Sequence, residues 1–146
     1  MGRRFAMATP TARDIMTGGA QCVQAHESAL DAARKLTESQ VGALPVCGEN
    51  NRLIGVITDR DIVVRVLGKG LAPAEDETAT LAQGEAVTIG ADDDVDEVFE
   101  TMTQHKVRRL PVIDGTALVG MVALADAARA LDAPDAGRLV AALSTD

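Results

Sequence analysis

The sequence predicts an α/β (α+β) protein in which two pseudo-symmetric βαββα motifs pack as an intramolecular pair. Two observations carry that prediction: one segment occurs twice, and inside each copy the apolar pattern switches between strand and helix periods. Val41-Gly-Ala-Leu-Pro-Val-Cys47 is echoed by Val107-Arg-Arg-Leu-Pro-Val-Ile113, with Pro45 and Pro111 66 residues apart. Further on, Leu53-Ile-Gly-Val-Ile-Thr58-Asp-Arg-Asp61 matches Leu118-Val-Gly-Met-Val-Ala123-Leu-Ala-Asp126, keeping the Leu, the Gly and the final Asp. Upstream, Val23 pairs with Ile89, Leu36 with Met102, and Asp14-Ile-Met16 with Thr80-Leu-Ala82.

The elements follow in order. Cys22-Val23 and Thr88-Ile89 read as short strands. Val95, Val98, Phe99 and Met102 form the apolar stripe of a helix, with Asp94 and Glu97 as a capping box. Ala29, Ala32, Ala33 and Leu36 repeat that stripe behind Ser28. Ala43 to Cys47 and Leu53 to Ile57 are β-rich runs joined by the turn residues 48–51, a hairpin whose counterpart turns at Asp114-Gly115. A helix from Asp59 to Leu67, stopped by Gly68, closes the first copy, and Leu124 to Leu131 closes the second. The resulting organisation is a flexible N-terminus (1–10), motif 1 (11–68), a Gly-, Pro- and acid-rich linker (69–79), motif 2 (80–131) and a helical tail (132–146). In the tail, Leu139, Val140 and Leu143 stand at helical spacing behind Pro134. One three-stranded sheet with helices on one side buries too little alone, so the copies are expected to pack sheet against sheet about a pseudo-two-fold axis.

Composition narrows the function classes. A hydrophobic fraction of 47% supports a packed core, whereas 22 acidic against 14 basic residues, a net charge of -8, repels phosphate backbones. With no Trp or Tyr, and only Phe5 and Phe99, stacking platforms for single strands are missing, so nucleic acid is not an expected partner. No apolar run approaches the roughly 20 residues of a membrane span, and no signal h-region precedes Pro10, so neither membrane nor export is expected and the location is cytoplasmic. No nucleophile, P-loop or paired-histidine motif is visible, so neither enzymatic activity nor a cofactor is expected.

The two cysteines, Cys22 and Cys47, leave two readings open. A cytosolic chain keeps its thiols reduced, and buried cysteine behaves as a small apolar residue. The pair also falls in two strands of one small sheet, where a reversible disulfide forms if the Cα atoms approach within about 4.4 to 6.8 Å. Adding His26 gives three candidate ligands but not the tight four-ligand spacing of structural zinc, and no metal is expected.

The doubled pattern of hydrophobic-Pro-Val, turn, Leu-hydrophobic-Gly-hydrophobic-hydrophobic-Thr-x-x-Asp resembles a tandem CBS-domain pair, or Bateman module, over about residues 11 to 131. The resemblance implies a pseudo-symmetric pair of motifs with two clefts that bind adenosine-containing ligands, often assembled as a disk-like homodimer. It implies further that Thr58 and Asp61 form the ribose and phosphate element, that Arg108 and Arg109 face phosphate, and that Val23, Ala43, Leu44 and Pro45 near Cys22 line the base slot. Chemistry agrees in part: a carboxylate can accept from both ribose hydroxyls, free N–H groups at a helix start suit an anion, and the arginine fork suits phosphate. A plainer reading makes Thr58 an N-cap, Asp61 a carboxylate at the helix dipole, the arginines solvated or ion-paired, and Pro45 and Pro111 structural. In the second copy Ala123 replaces the Thr, so Asp126 lacks a hydroxyl partner. A working cleft would therefore combine Thr58 and Asp61 with Arg108 from across the pseudo-dyad.

The function expected is thus a stand-alone CBS-pair regulatory sensor, homodimeric, with an adenine nucleotide (AMP, ADP or ATP) as ligand and a separate effector protein as its outlet. The alternative is a ligand-free structural or stress-response dimer tuned by the redox state of Cys22 and Cys47.

Overall fold

A computed structural model describes residues 9–19, 21–82 and 87–144. From the N-terminus, α1 (Ala12–Ile15) and β1 (Thr17–Gly18) lead into β2 (Val23–Gln24), α2 (Ala29–Ser39), β3 (Ala43–Cys47), β4 (Leu53–Thr58) and α3 (Asp59–Arg65). The second copy runs through α4 (Thr78–Leu81), β5 (Ile89–Gly90), α5 (Val95–His105), β6 (Arg109–Asp114), β7 (Ala117–Ala123) and α6 (Leu124–Ala130), and α7 (Ala133–Leu143) follows. The α/β class and the doubled motif are those the repeat predicts.

The chain divides into two compact units. Gln21–Ala86 with Thr116–Leu118 form the first-copy unit; Met1–Ala20, Val87–Gly115 and Val119–Asp146 form the second-copy unit. In the first, β2 runs parallel to β3 (Val23 opposite Val46) and β3 antiparallel to β4 (Leu44 opposite Ile57). In the second, the strand order is β1-β7-β6-β5, with β5 parallel to β6 and β1 antiparallel to β7.

The packing units cut the chain differently from the repeat. Residues 12–19, at the start of motif 1, pack in the second-copy unit, and α4, at the start of motif 2, packs in the first-copy unit. One-turn helices of four residues cannot stand alone, and each is held by backbone. The Ala12 and Arg13 amides donate to the Asp93 and Ala91 carbonyls (2.8 and 2.9 Å). Thr78 donates from its amide to the Glu27 carbonyl and from its hydroxyl to the Gln24 carbonyl, both at 2.9 Å. Each copy's leading helix therefore completes the unit of the other copy, an exchange that periodicity within a copy cannot reveal.

Each unit has its own core. Val23, Leu36, Leu44, Val46, Ile57 and Ile62 belong to the first, and Val98, Met102, Leu110, Val122, Leu139 and Leu143 to the second. The long helices start as their caps predict: Ser28 accepts from the Asp31 amide and Asp94 from the Glu97 amide. The end of α3 differs from expectation. The helix stops at Arg65, a 3-10 turn covers Leu67–Lys69, and the left-handed residue is Gly70 (φ 72°), not Gly68. Gly120 is demanded by close approach, since a Cβ there would lie 2.7 Å from the Thr17 carbonyl oxygen of β1.

Candidate functional site

The strand-to-helix junction of the first copy is built by two reciprocal bonds. Thr58 ends β4 in extended conformation, its hydroxyl accepts from the Asp61 amide (3.0 Å), and Asp61 Oδ2 accepts from the Thr58 amide (2.8 Å). This capping box satisfies two amides at the start of α3. It also holds Asp61 at 8% exposure, the one buried carboxylate among the described residues.

The second copy shows how a changed residue alters the same junction. With Ala123 in place of the Thr, the hydroxyl half of the box is lost, while Asp126 Oδ2 still accepts from the Ala123 amide at 2.8 Å. Its other oxygen, Oδ1, accepts from Arg129 at 2.6 Å. Both oxygens of Asp126 are thus engaged by protein. Arg129 was missed from sequence, although an Asp-x-x-Arg spacing on a helix is a readable ion pair.

The junctions share one backbone bond: the Asp59 amide donates to the Gly42 carbonyl (2.9 Å), and the Leu124 amide to the Arg108 carbonyl (2.8 Å). Gly42 and Arg108 are therefore structural equivalents. The Arg108 side chain turns to the end of α7, donating to the Leu143 carbonyl at 2.8 Å, where a cation meets the negative end of a helix. Arg109 is exposed at the start of β6.

The residues assigned to a base slot lie mostly in the core. Val23 (0% exposed) and Leu44 (6%) pack in the first-copy cluster, and Pro45 is fully buried. Ala43 is half-buried and stands opposite Thr58 in the β3–β4 register. Two shallow grooves lie on the helical face, one between α2 and α3 and one along α2, and neither is lined by Thr58 or Asp61.

Cys22 and Cys47 are joined in a disulfide with Cα atoms 5.7 Å apart. Of the two readings of these residues, reduced thiols is the one the structure overturns. Because Gln24 stands opposite Cys47 in the parallel β2–β3 pair, backbone pairing already holds the two cysteine backbones within reach. Beside it, Lys35 donates to the Cys22 carbonyl (3.2 Å) and to Glu27 Oε1 (2.8 Å). The Lys35 bond holds the Glu27 carboxyl below its ordinary range, and bonds from the Ser28 backbone amide and hydroxyl do the same for Asp31. No group of three or more His, Cys, Asp or Glu side chains among the described residues could hold a metal ion. No described helix is long and apolar enough to cross a membrane.

Comparison with known proteins supplies the context for these junctions. The CBS domain model matches residues 12–68 and 80–133. Hypoxic response protein 1 of Mycobacterium tuberculosis is 45% identical over 121 residues, 83% of this chain and 85% of that protein. The CBS domain-containing protein YhcV of Bacillus subtilis is 34% identical over 116 residues, 80% of this chain and 81% of that one. The crystal structure of Hypoxic Response Protein I with two coordinated zinc ions superposes with a TM-score of 0.77, at 45% identity, covering 83% of this chain and 98% of that one. CBSX2 in complex with AMP superposes with a TM-score of 0.72, at 25% identity, covering 83% and 95%. Zinc does not fit within the described residues of this chain, since both cysteine sulfurs are tied up in the disulfide and no acid or histidine cluster replaces them.

Proposed function

The chain belongs to the CBS-domain family as a tandem pair, and on that premise we propose that it is a homodimeric regulatory protein whose Thr58–Asp61 junction binds the ribose of an adenosine-containing ligand. One observation carries the reading. Thr58 and Asp61 bring a hydroxyl and a carboxylate together at one helix start, whereas Asp126 stands beside Ala123, which has no hydroxyl. The first copy is thus the ligand-bearing copy and the second is structural. The AMP held by CBSX2 supports the ligand class. Ala43 and the backbone around it provide the wall nearest Thr58. A ligand shifts such a protein only through a difference in affinity between its states, and a separate effector reads the shift.

The test is thermal unfolding with AMP, ADP, ATP, NAD and S-adenosylmethionine, each alone. A ligand present at about 100 times its dissociation constant adds about 2.7 kcal/mol. An upward shift for one or more adenosine compounds is expected. Flat curves with all five at millimolar concentration overturn the reading.

The disulfide favours a second reading, a ligand-free dimer tuned by oxidation of Cys22 and Cys47. A reducing cytosol keeps such a pair as thiols, so in that compartment the bond would form on oxidation. Thiol titration of the native protein across a series of glutathione ratios separates the readings: a midpoint inside the cytosolic range supports tuning, and a bond that stays closed throughout it marks a purely structural staple.

A further inference from the structure

The two ends of the first-copy disulfide stand in unlike places. Cys47, at the end of β3, is buried (0% exposed), whereas Cys22, just before β2, is half-buried. Cys22 Sγ meets Asn51 Oδ1 at 3.3 Å in an exposed contact. A disulfide sulfur carries no proton, so this is a contact while the bond is closed, and a Cys22 thiol would donate to the same oxygen. Asn51 is set for that part, because its Nδ2 donates to the Leu118 carbonyl at 2.7 Å and leaves Oδ1 to the sulfur.

The backbone around the bond is held by interactions that do not use the sulfurs. Val23 pairs with Val46 and Gln24 with Cys47, and the Ala25 amide donates to the Cys47 carbonyl at 2.9 Å. Lys35 ties the Cys22 carbonyl (3.2 Å) to Glu27 Oε1 (2.8 Å). Opening the bond therefore leaves two thiols whose Cα atoms, 5.7 Å apart, remain within bonding reach.

We propose that Cys22 is a thiol–disulfide exchange site for low-molecular-weight thiols and their disulfides, with buried Cys47 as the resolving sulfur. The proposal rests on the redox reading given above and names the atom at which exchange takes place. Exchange requires a thiolate to reach one sulfur and displace the other. Cys47 has no exposed surface, so an external thiolate meets the bond at Cys22 and Cys47 is the sulfur that leaves. Charge does not reverse this choice. Lys35 brings a cation to the Cys22 backbone, but Glu27 comes with it as a carboxylate, so access decides.

In the oxidising direction the Cys22 thiolate attacks a small disulfide RSSR, forming the mixed disulfide Cys22–SR and releasing RS⁻. Cys47, as thiolate, then attacks Cys22 Sγ and releases the second RS⁻. The protein gives up two electrons and two protons, and RSSR departs as two thiols. Reduction retraces these steps: RS⁻ attacks Cys22 Sγ, Cys47 leaves, and a second RS⁻ attacks the R sulfur, giving RSSR and freeing Cys22. The pairing of β2 with β3 makes the resolving step intramolecular.

Glutathione is the probe, used on the full chain after reduction with a phosphine. With oxidised glutathione, Cys47→Ser is expected to collect a lasting adduct on Cys22, and Cys22→Ser to react at least about tenfold more slowly. In urea the two variants are expected to react alike. Reduced wild type, which needs neither variant to fold, is expected to be alkylated by iodoacetamide at Cys22 at least about tenfold faster than at Cys47, as read by peptide mapping. Equal rates at the two cysteines of the native protein, or faster reaction at Cys47, overturn the exchange site. A native bond that the phosphine leaves closed overturns it as well. Reaction confined to Cys22 in a protein whose bond stays closed across the cytosolic glutathione range sinks the redox tuning and keeps the site. A midpoint inside that range with reaction at Cys47 sinks the site alone.

Discussion

The guanidinium of Arg108 closes on the carbonyl of Leu143 at 2.8 Å, so a residue positioned like a phosphate ligand in the sequence serves as the cap of the last helix. The bond is charge-assisted and partly exposed, which places its worth near the helix-terminus range of about 0.3 to 1 kcal/mol. Arg108→Ala is therefore expected to lower stability by up to about 1 kcal/mol and to speed amide exchange in α7, with no change in nucleotide affinity. Urea unfolding, hydrogen exchange and a binding isotherm on one sample check the three parts. A loss of affinity with unchanged exchange would return Arg108 to the ligand.

Leu139 is fully buried in the second-copy core although it lies beyond the second family match. Leu139→Ala should cost about 2 to 5 kcal/mol, the range for a buried leucine whose cavity cannot collapse. Denaturant midpoints measure this. A loss below about 0.5 kcal/mol, the scale of an ordinary surface change, would mean that α7 does not stay seated in solution.

The parts of this fold that were legible from sequence are those fixed locally. Ser28 and Asp94 announce the starts of α2 and α5, and the doubled Leu-Pro-Val and Leu-x-Gly runs announce both hairpins. What could not be read is settled by partners distant in the chain. Helix α1 takes its place from Ala91 and Asp93, and α4 from Glu27 and Gln24, so each docks on the copy that did not encode it. The same holds at the candidate site. Thr58 and Asp61 are three residues apart and their pairing was visible, but the Arg108 cap depends on Leu143, 35 residues away. The cysteines lie 25 residues apart, and compartment chemistry argued for thiols where strand pairing argued for a bond.

Closing a loop between residues 25 apart restricts the unfolded chain, which in the chain-entropy account is worth about 3 to 4 kcal/mol. Reduction, or Cys22→Ser with Cys47→Ser, is expected to lower the unfolding free energy by roughly that amount, with β2 and α2 most affected. Urea unfolding with and without reductant checks it, and coincident curves would show that the bond adds nothing to the first-copy unit.

Acid should weaken the same region. The Lys35 bond lowers the Glu27 pKa from its ordinary 4.5, and the Ser28 amide and hydroxyl lower that of Asp31 from 3.8. A depressed folded-state pKa contributes stability above the unfolded value and loses it as pH falls through the folded one. Unfolding free energy should therefore decline as pH drops below about 4.5, and less steeply in Glu27→Gln. Stability that is level from pH 5 to pH 3 would contradict these assignments.

The central claim is that the first copy carries the ligand and the second does not. Calorimetric titration of AMP into wild type, Asp61→Asn and Asp126→Asn tests it most directly, because Asn preserves an acceptor for the cap while removing the charge. One site per chain is predicted, abolished or weakened at least about tenfold, or 1.4 kcal/mol, by Asp61→Asn and unchanged by Asp126→Asn. Two sites per chain, or binding lost with Asp126→Asn and kept with Asp61→Asn, would contradict the assignment.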